Sequence, residues 1–165
     1  MTYKYILPID TKTVSLELIG GKGKSLARMA SAGMSVPSGF YLTTAAYKDF
    51  VENNNLQEDI INLAKPEIIG KTISFESASK HIQELIKGVE LPDEITNEIR
   101  QAYGELNGEN PAVAVRSSAN AEDLPDLSFA GQQDTYLNVH GNEELIRAIR
   151  DCWIAPVTTA WINSS

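Results

Sequence analysis

The sequence predicts an α+β (mixed α/β) fold. Apolar residues recur at helical spacing through the middle of the chain, short apolar or alternating runs mark strands on either side, and the composition is that of an ordinary globular protein. The chain has 165 residues, 42% of them hydrophobic and 22% charged, which excludes collagen-like and wholly disordered classes. That length fits one domain, residues 1–165, with enough chain to bury a core. No internal repeat or low-complexity tract interrupts it.

Residues 3–9 read as an opening strand. Gly20-Gly21-Lys22-Gly23 is a glycine cluster, preceded by a loop and followed by a helix through Ser25, Leu26, Ala27, Met29 and Ala30 that Gly33 stops. Val36-Pro37-Ser38-Gly39 is a turn, Phe40 to Thr43 a strand, and Tyr47, Phe50 and Val51 share one face of the next helix. Asn53-Asn54-Asn55 ends that helix, because Asn favours caps and turns over helix interiors. The middle of the chain reads as helical. Ile82, Leu85, Ile86 and Val89 form one stripe, broken by Gly88 and Pro92, and Ile95, Ile99, Ala102, Tyr103 and Leu106 form the next. After the turn at Asn107-Gly108-Glu109-Asn110-Pro111, Ala112 to Val115 is a buried strand that stops at Arg116. Residues 117–131, small and acidic without periodicity, read as a loop. Asp134 to Val139 alternates as a strand, and Leu145, Ile146, Ile149, Cys152 and Trp153 line a helix with Asn142 as its N-cap.

Fourteen Lys and Arg stand against 22 Asp and Glu, a net charge of −8. Such a chain repels phosphate backbones and anionic lipid, so general nucleic-acid or membrane-surface partners are not expected. A phosphate-bearing ligand would need a local exception to that charge. The one cysteine, Cys152, cannot form an internal disulfide, and a cytoplasmic setting is the simplest expectation. The first residues carry no signal-peptide run, and no stretch of about 18 apolar residues marks a membrane span.

Three segments could carry chemistry. The glycine cluster lets backbone N–H groups approach a ligand, the following helix start adds partial positive charge, and Lys22 adds a full one. Together they suit a phosphate, although a glycine turn entering a surface helix has the same sequence. A P-loop is excluded because its first glycine would fall on Leu18. Arg116 follows four buried strand residues, a sheet-end position where its planar fork could hold two phosphate oxygens, with Ser117 and Ser118 beside it. Pairing with Glu122 or Asp123 would explain it equally well. Around Gly131, small residues would admit a ligand to the backbone, and Gln132, Gln133 and Thr135 add neutral donors and acceptors. His81 and His140 form no metal-ligand cluster, Glu122, Asp123 and Asp126 read as hydrated loop acids, and Trp153 and Trp161 as packing residues.

Three blocks resemble one family: Ile19-Gly20-Gly21-Lys22-Gly23; Val36-Pro37-Ser38-Gly39-Phe40 with Thr43-Thr44; and Ala114-Val115-Arg116-Ser117-Ser118-Ala119 continuing through Ala121-Glu122-Asp123-Leu124-Pro125 and Ser128 to Val139. They are similar to the N-terminal ATP-binding domain of the phosphoenolpyruvate synthase, pyruvate phosphate dikinase and rifampin phosphotransferase family, in family order over residues 19 to about 153. The resemblance implies the N-terminal part of an ATP-grasp fold, incomplete here, with Lys22 and Arg116 on the ATP phosphates and Gly131 and Thr135 lining the nucleotide site. Arg116 would be the catalytic cation. The family reaction passes phosphate from ATP to a histidine on a swinging domain and then to pyruvate or another small acceptor. The phosphohistidine and acceptor domains, the second half of the ATP-grasp unit and the carboxylates that hold Mg²⁺ are expected outside this chain, so the isolated chain is expected to be inactive. A stand-alone paralogue acting as a non-catalytic binding or regulatory module is the alternative.

Overall fold

The computed structural model describes residues 2–65, 67–74, 76–119, 135–153 and 158–164. In chain order the elements are β1 (Ile6–Pro8), α1 (Leu16–Ser31), β2 (Gly39–Leu42), α2 (Thr44–Asn53), α3 (Gln57–Leu63), β3 (Glu67–Ile69), β4 (Thr72–Ser74), α4 (Glu76–Lys87), α5 (Asp93–Gly104), β5 (Val113–Ala119), β6 (Thr135–Val139), α6 (Gly141–Cys152) and β7 (Thr158–Ser164). The mixed α and β class follows the sequence reading. One five-stranded sheet, in the order β1-β2-β7-β5-β6, forms the centre, and β3 and β4 make a separate two-stranded ribbon. Every pairing in the central sheet is antiparallel.

Helices cover both faces of this sheet. Phe40, Leu42, Val113 and Val115 point to one face, into a core with Ile86, Ile95, Ile99, Leu145, Ile149 and Trp153. On the other face Tyr41 packs with Ile9, Ile19 and Ala27 beneath α1. The alternation within β2 divides the two cores, since successive strand residues project to opposite sides. Trp153 anchors the larger core, edge-on to Tyr47 at 5.7 Å and tilted on Phe50 at 5.2 Å.

Two helix ends match the expected stop residues closely. Beyond α1, Gly33 adopts φ 75° while its N–H bonds to the Ala30 carbonyl and that of Met34 to Met29. Beyond α2, Asn55 adopts φ 54° while its N–H bonds to Glu52 and that of Leu56 to Val51. Both are Schellman ends, which require a left-handed residue that Gly and Asn supply at little cost.

Other expectations are corrected. The opening strand is only Ile6–Pro8, because the N–H groups of Lys4 and Tyr5 donate to the Glu98 carboxylate of α5, each at 2.8 Å. The middle is not all helical: β3 and β4 form a hairpin in which Ile69 pairs with Thr72 across Gly70, at φ 65°. The N-cap of α6 is His140 rather than Asn142, and Glu144 accepts its backbone N–H at 2.8 Å. The end of the chain supplies β7, which lies between β2 and β5.

Replacing Trp153 with Ala should lower unfolding free energy by about 3–5 kcal/mol, the cost of a large emptied core position. Urea denaturation followed by far-UV circular dichroism measures it.

Candidate functional site

The site begins at a break in α1. Gly20 sits at φ 69°, ψ 178° within an otherwise helical segment. That combination is essentially closed to residues bearing a Cβ. The sequence reading placed a glycine turn ahead of a helix. The structure instead makes helix on both sides and confines the irregular backbone to one residue. Gly21, Lys22 and Gly23 are therefore the opening turn of a second helical segment, whose first N–H groups and dipole favour negative charge. The Lys22 side chain is exposed there. Gly23 has a steric reason of its own, since a Cβ on it would stand 3.0 Å from Cβ of Ile19.

Two hydroxyls grip the helix on either side of the break. Thr44, the first residue of α2, donates from Oγ1 to the Glu17 carbonyl at 2.9 Å. Tyr41 of β2, fully buried, donates to the Gly23 carbonyl at 3.2 Å, and Ile9 O lies 3.5 Å from the same hydroxyl. Burial pushes the Tyr41 phenol up to about 12, so it remains a proton donor through the neutral range.

The sheet register relates this helix to the other candidates. Leu7, Tyr41, Trp161, Arg116 and Thr135 are successive partners across β1, β2, β7, β5 and β6. Cross-strand partners share a face. Tyr41 lies against α1, so Arg116 and Thr135 belong to the face on which α1 packs, and α1 contacts β5 and β7 directly. Arg116 and Thr135 are direct partners in adjacent strands. Lys22 rides on the helix above that face.

Arg116 is not beyond a strand end, as the sequence reading had it. β5 continues to Ala119 because β7 pairs with it along its whole length, from Val113 opposite Ser164 to Ala119 opposite Thr158. The sheet-end argument, which belongs to open parallel sheets, does not apply to this antiparallel one. Ser117 is buried and, by alternation, faces away from Arg116 towards the larger core, so its hydroxyl does not join the guanidinium. Gly131 lies outside the described residues, as do Glu122, Asp123 and Asp126 and the side chain of Trp161. Among the described residues no group of three or more His, Cys, Asp and Glu side chains could hold a metal ion. Among them, too, no helix is long and apolar enough to cross a membrane.

Sequence reasoning missed Tyr41 and Thr44. The signal for Tyr41 was available: between Phe40 and Leu42 it occupies the opposite face of a strand whose neighbours are core residues.

Burial holds the Tyr41 and Tyr47 phenols up to about 12, against an ordinary 10.0. Above pH 10 the unfolded chain releases these protons while the folded one keeps them, so stability falls as pH rises from about 10 to 12. Urea midpoints measured across that range should decline, and Tyr41→Phe should make the decline shallower.

A family model described as pyruvate phosphate dikinase, AMP/ATP-binding domain, matches residues 16–160. The phosphoenolpyruvate synthase of Pyrococcus furiosus is 39% identical over 190 residues, covering 93% of this chain and 23% of that protein. That of Pseudomonas aeruginosa is 42% identical over 155 residues, covering 90% of this chain and 20% of that protein. The probable phosphoenolpyruvate synthase of Methanocaldococcus jannaschii is also 42% identical over 155 residues, covering 91% of this chain and 13% of that protein. The chain thus spans between 13% and 23% of the length of these relatives.

Proposed function

The chain belongs to the family of pyruvate phosphate dikinase AMP/ATP-binding domains, and from that premise we propose that Lys22 and Arg116 hold the phosphates of ATP and that Gly131 and Thr135 line the same nucleotide site. The observation that carries this reading is the shared sheet face: Arg116 and Thr135 are paired on it, and the helix bearing Lys22 packs against it. In a chain of net charge −8, two cations associated with one face are well explained by a polyanionic ligand.

Each residue has a role in this reading. The Arg116 guanidinium supplies a bidentate fork for β- and γ-phosphate oxygens, and its charge offsets what builds up as phosphate departs. Lys22 adds a mobile ammonium next to the helix start at Gly21. Thr135 offers a hydroxyl to the nucleotide, and Gly131 a backbone that phosphates can approach. The fold would be the N-terminal part of an ATP-grasp unit. Mg²⁺ would accompany the triphosphate and screen its charge, with its protein carboxylates outside this chain.

The relatives are named phosphoenolpyruvate synthases and are several times longer than this chain. The proposal extends accordingly to the whole protein. It transfers phosphate from ATP, through a histidine on another domain, to pyruvate or another small acceptor, in a reducing cytoplasm. This chain's share is to bind the nucleotide, orient its phosphates and neutralise their charge.

Titration calorimetry of ATP with Mg²⁺ on the full-length protein tests the assignment. Arg116→Ala should raise Kd about 10- to 100-fold, the range for removing a charge-assisted hydrogen bond. Lys22→Ala, on an exposed side chain, should raise it several-fold. Unchanged ATP affinity and turnover in Arg116→Ala would remove this residue from the site.

A further inference from the structure

We infer that Tyr41 is a positioning residue: its buried hydroxyl, bonded to the Gly23 carbonyl, sets the height and rotation of the glycine segment over the sheet row that carries Arg116 and Thr135. The inference rests on the nucleotide reading above and adds a residue to it.

The break at Gly20 poses a mechanical problem. A continuous helix transmits orientation along its axis through its ladder of hydrogen bonds. One residue at φ 69°, ψ 178° interrupts that ladder, so the segment beginning at Gly21 takes its direction from other contacts. The hydroxyl contacts from Thr44 and Tyr41 fall on opposite sides of the break. Thr44 holds the Glu17 carbonyl before it, and Tyr41 holds the Gly23 carbonyl after it. Gly23 is the residue next to Lys22, so the Tyr41 contact is made where the direction of the lysine is decided.

The far end of the same contact is just as specific. Tyr41 is in register with Trp161, which is in register with Arg116. Two strand spacings of about 4.8 Å place Arg116 about 10 Å along the row from Tyr41. The phenol thus ties the lysine-bearing turn to the strand frame that also fixes the arginine, and the separation of the two cations is set by the sheet rather than by a loop.

Packing alone does not call for a hydroxyl here. The ring lies among Ile9, Ile19 and Ala27, where Phe would fill the same space. A buried phenol gains from a partner that Phe does not need, and a carbonyl has a second lone pair to offer beside its helical bond. The oxygen therefore specifies where α1 sits more than whether the chain folds.

The experiment compares Tyr41→Phe with wild type, Lys22→Ala and Arg116→Ala in the full-length protein, at least about 20 °C below the melting transition so that all are folded. Kd is measured for ATP, inorganic triphosphate and adenosine. Tyr41→Phe is expected to raise Kd for ATP and for triphosphate about three- to tenfold, leave that for adenosine unchanged, and move the melting temperature by only about 4 °C or less. A structural role alone would shift the melting temperature without a loss confined to the phosphate-bearing ligands. If Lys22→Ala and Arg116→Ala weaken ATP and Tyr41→Phe does not, the positioning role is overturned and the nucleotide reading stands. If none of the three weakens ATP, the nucleotide reading fails and the positioning role with it. Thr44→Val, which releases Glu17 on the side of the break that does not carry Lys22, is the control and should leave the Kd for ATP and triphosphate within about twofold of wild type; a loss there equal to that of Tyr41→Phe would mean that loosening α1 anywhere suffices, and would overturn the specific role of Tyr41.

Discussion

One backbone angle organises this molecule. At φ 69°, ψ 178° Gly20 occupies a conformation that side chains exclude, and it divides α1 into two segments with different directions. A straight α1 would carry Gly21, Lys22 and Gly23 as a middle turn with every N–H engaged. The break turns them into the opening turn of a second helical segment, the end of a helix that favours negative charge. Ile19 and Gly23 meet closely across the break, and the missing Cβ of Gly23 is what permits the approach. Two glycines of the cluster therefore do different work: Gly20 supplies the angle and Gly23 the clearance.

The sheet provides the fixed reference for that helix. β7 lies between β2 and β5, so the row from Tyr41 to Arg116 runs through it. The larger core, with Trp153 and the buried faces of α5 and α6, holds the sheet from the opposite side. The face under α1 is consequently backed by the larger of the two cores. Binding groups built on such a backing lose little entropy when a ligand arrives. In the nucleotide reading proposed above, the chain's negative charge sharpens the contrast, since a phosphate repelled elsewhere would meet Lys22 and Arg116 on this face.

Much of this architecture was legible in the sequence. Gly33 and Asn55 announced helix ends because the left-handed conformation needs those residue types. The stripes through Ile82 and Ile95 announced helices because their spacing leaves no strand alternative. Arg116 was legible as a candidate, but its placement was not. Ser117, Ser118 and Ala119 are too small to show a two-residue period, and the strand that extends β5 through them comes from the far end of the chain. The β3–β4 hairpin was hidden by its brevity, although Ile-Ile-Gly-Lys-Thr-Ile has a glycine between short apolar runs. The break in α1 was half legible: the glycines marked an irregularity, but nothing local showed that Leu16 to Ile19 is already helical. Tyr41 was read only as part of a strand, and the hydrogen bond to Gly23 reveals its polar task.

The most direct measurement is a crystal structure of the full-length protein with Mg²⁺ and a non-hydrolysable ATP analogue. The triphosphate is expected between the opening turn at Gly21 and the Arg116–Thr135 pair, with phosphate oxygens within hydrogen-bond reach of both Lys22 Nζ and the Arg116 guanidinium. The molecule offers an alternative location, a cleft of about 410 Å³ lined by Tyr3, Asp10, Val36 and Glu105 at the β1 edge of the sheet. A triphosphate bound in that cleft, with Lys22 and Arg116 both out of reach, would overturn the assignment of these two cations.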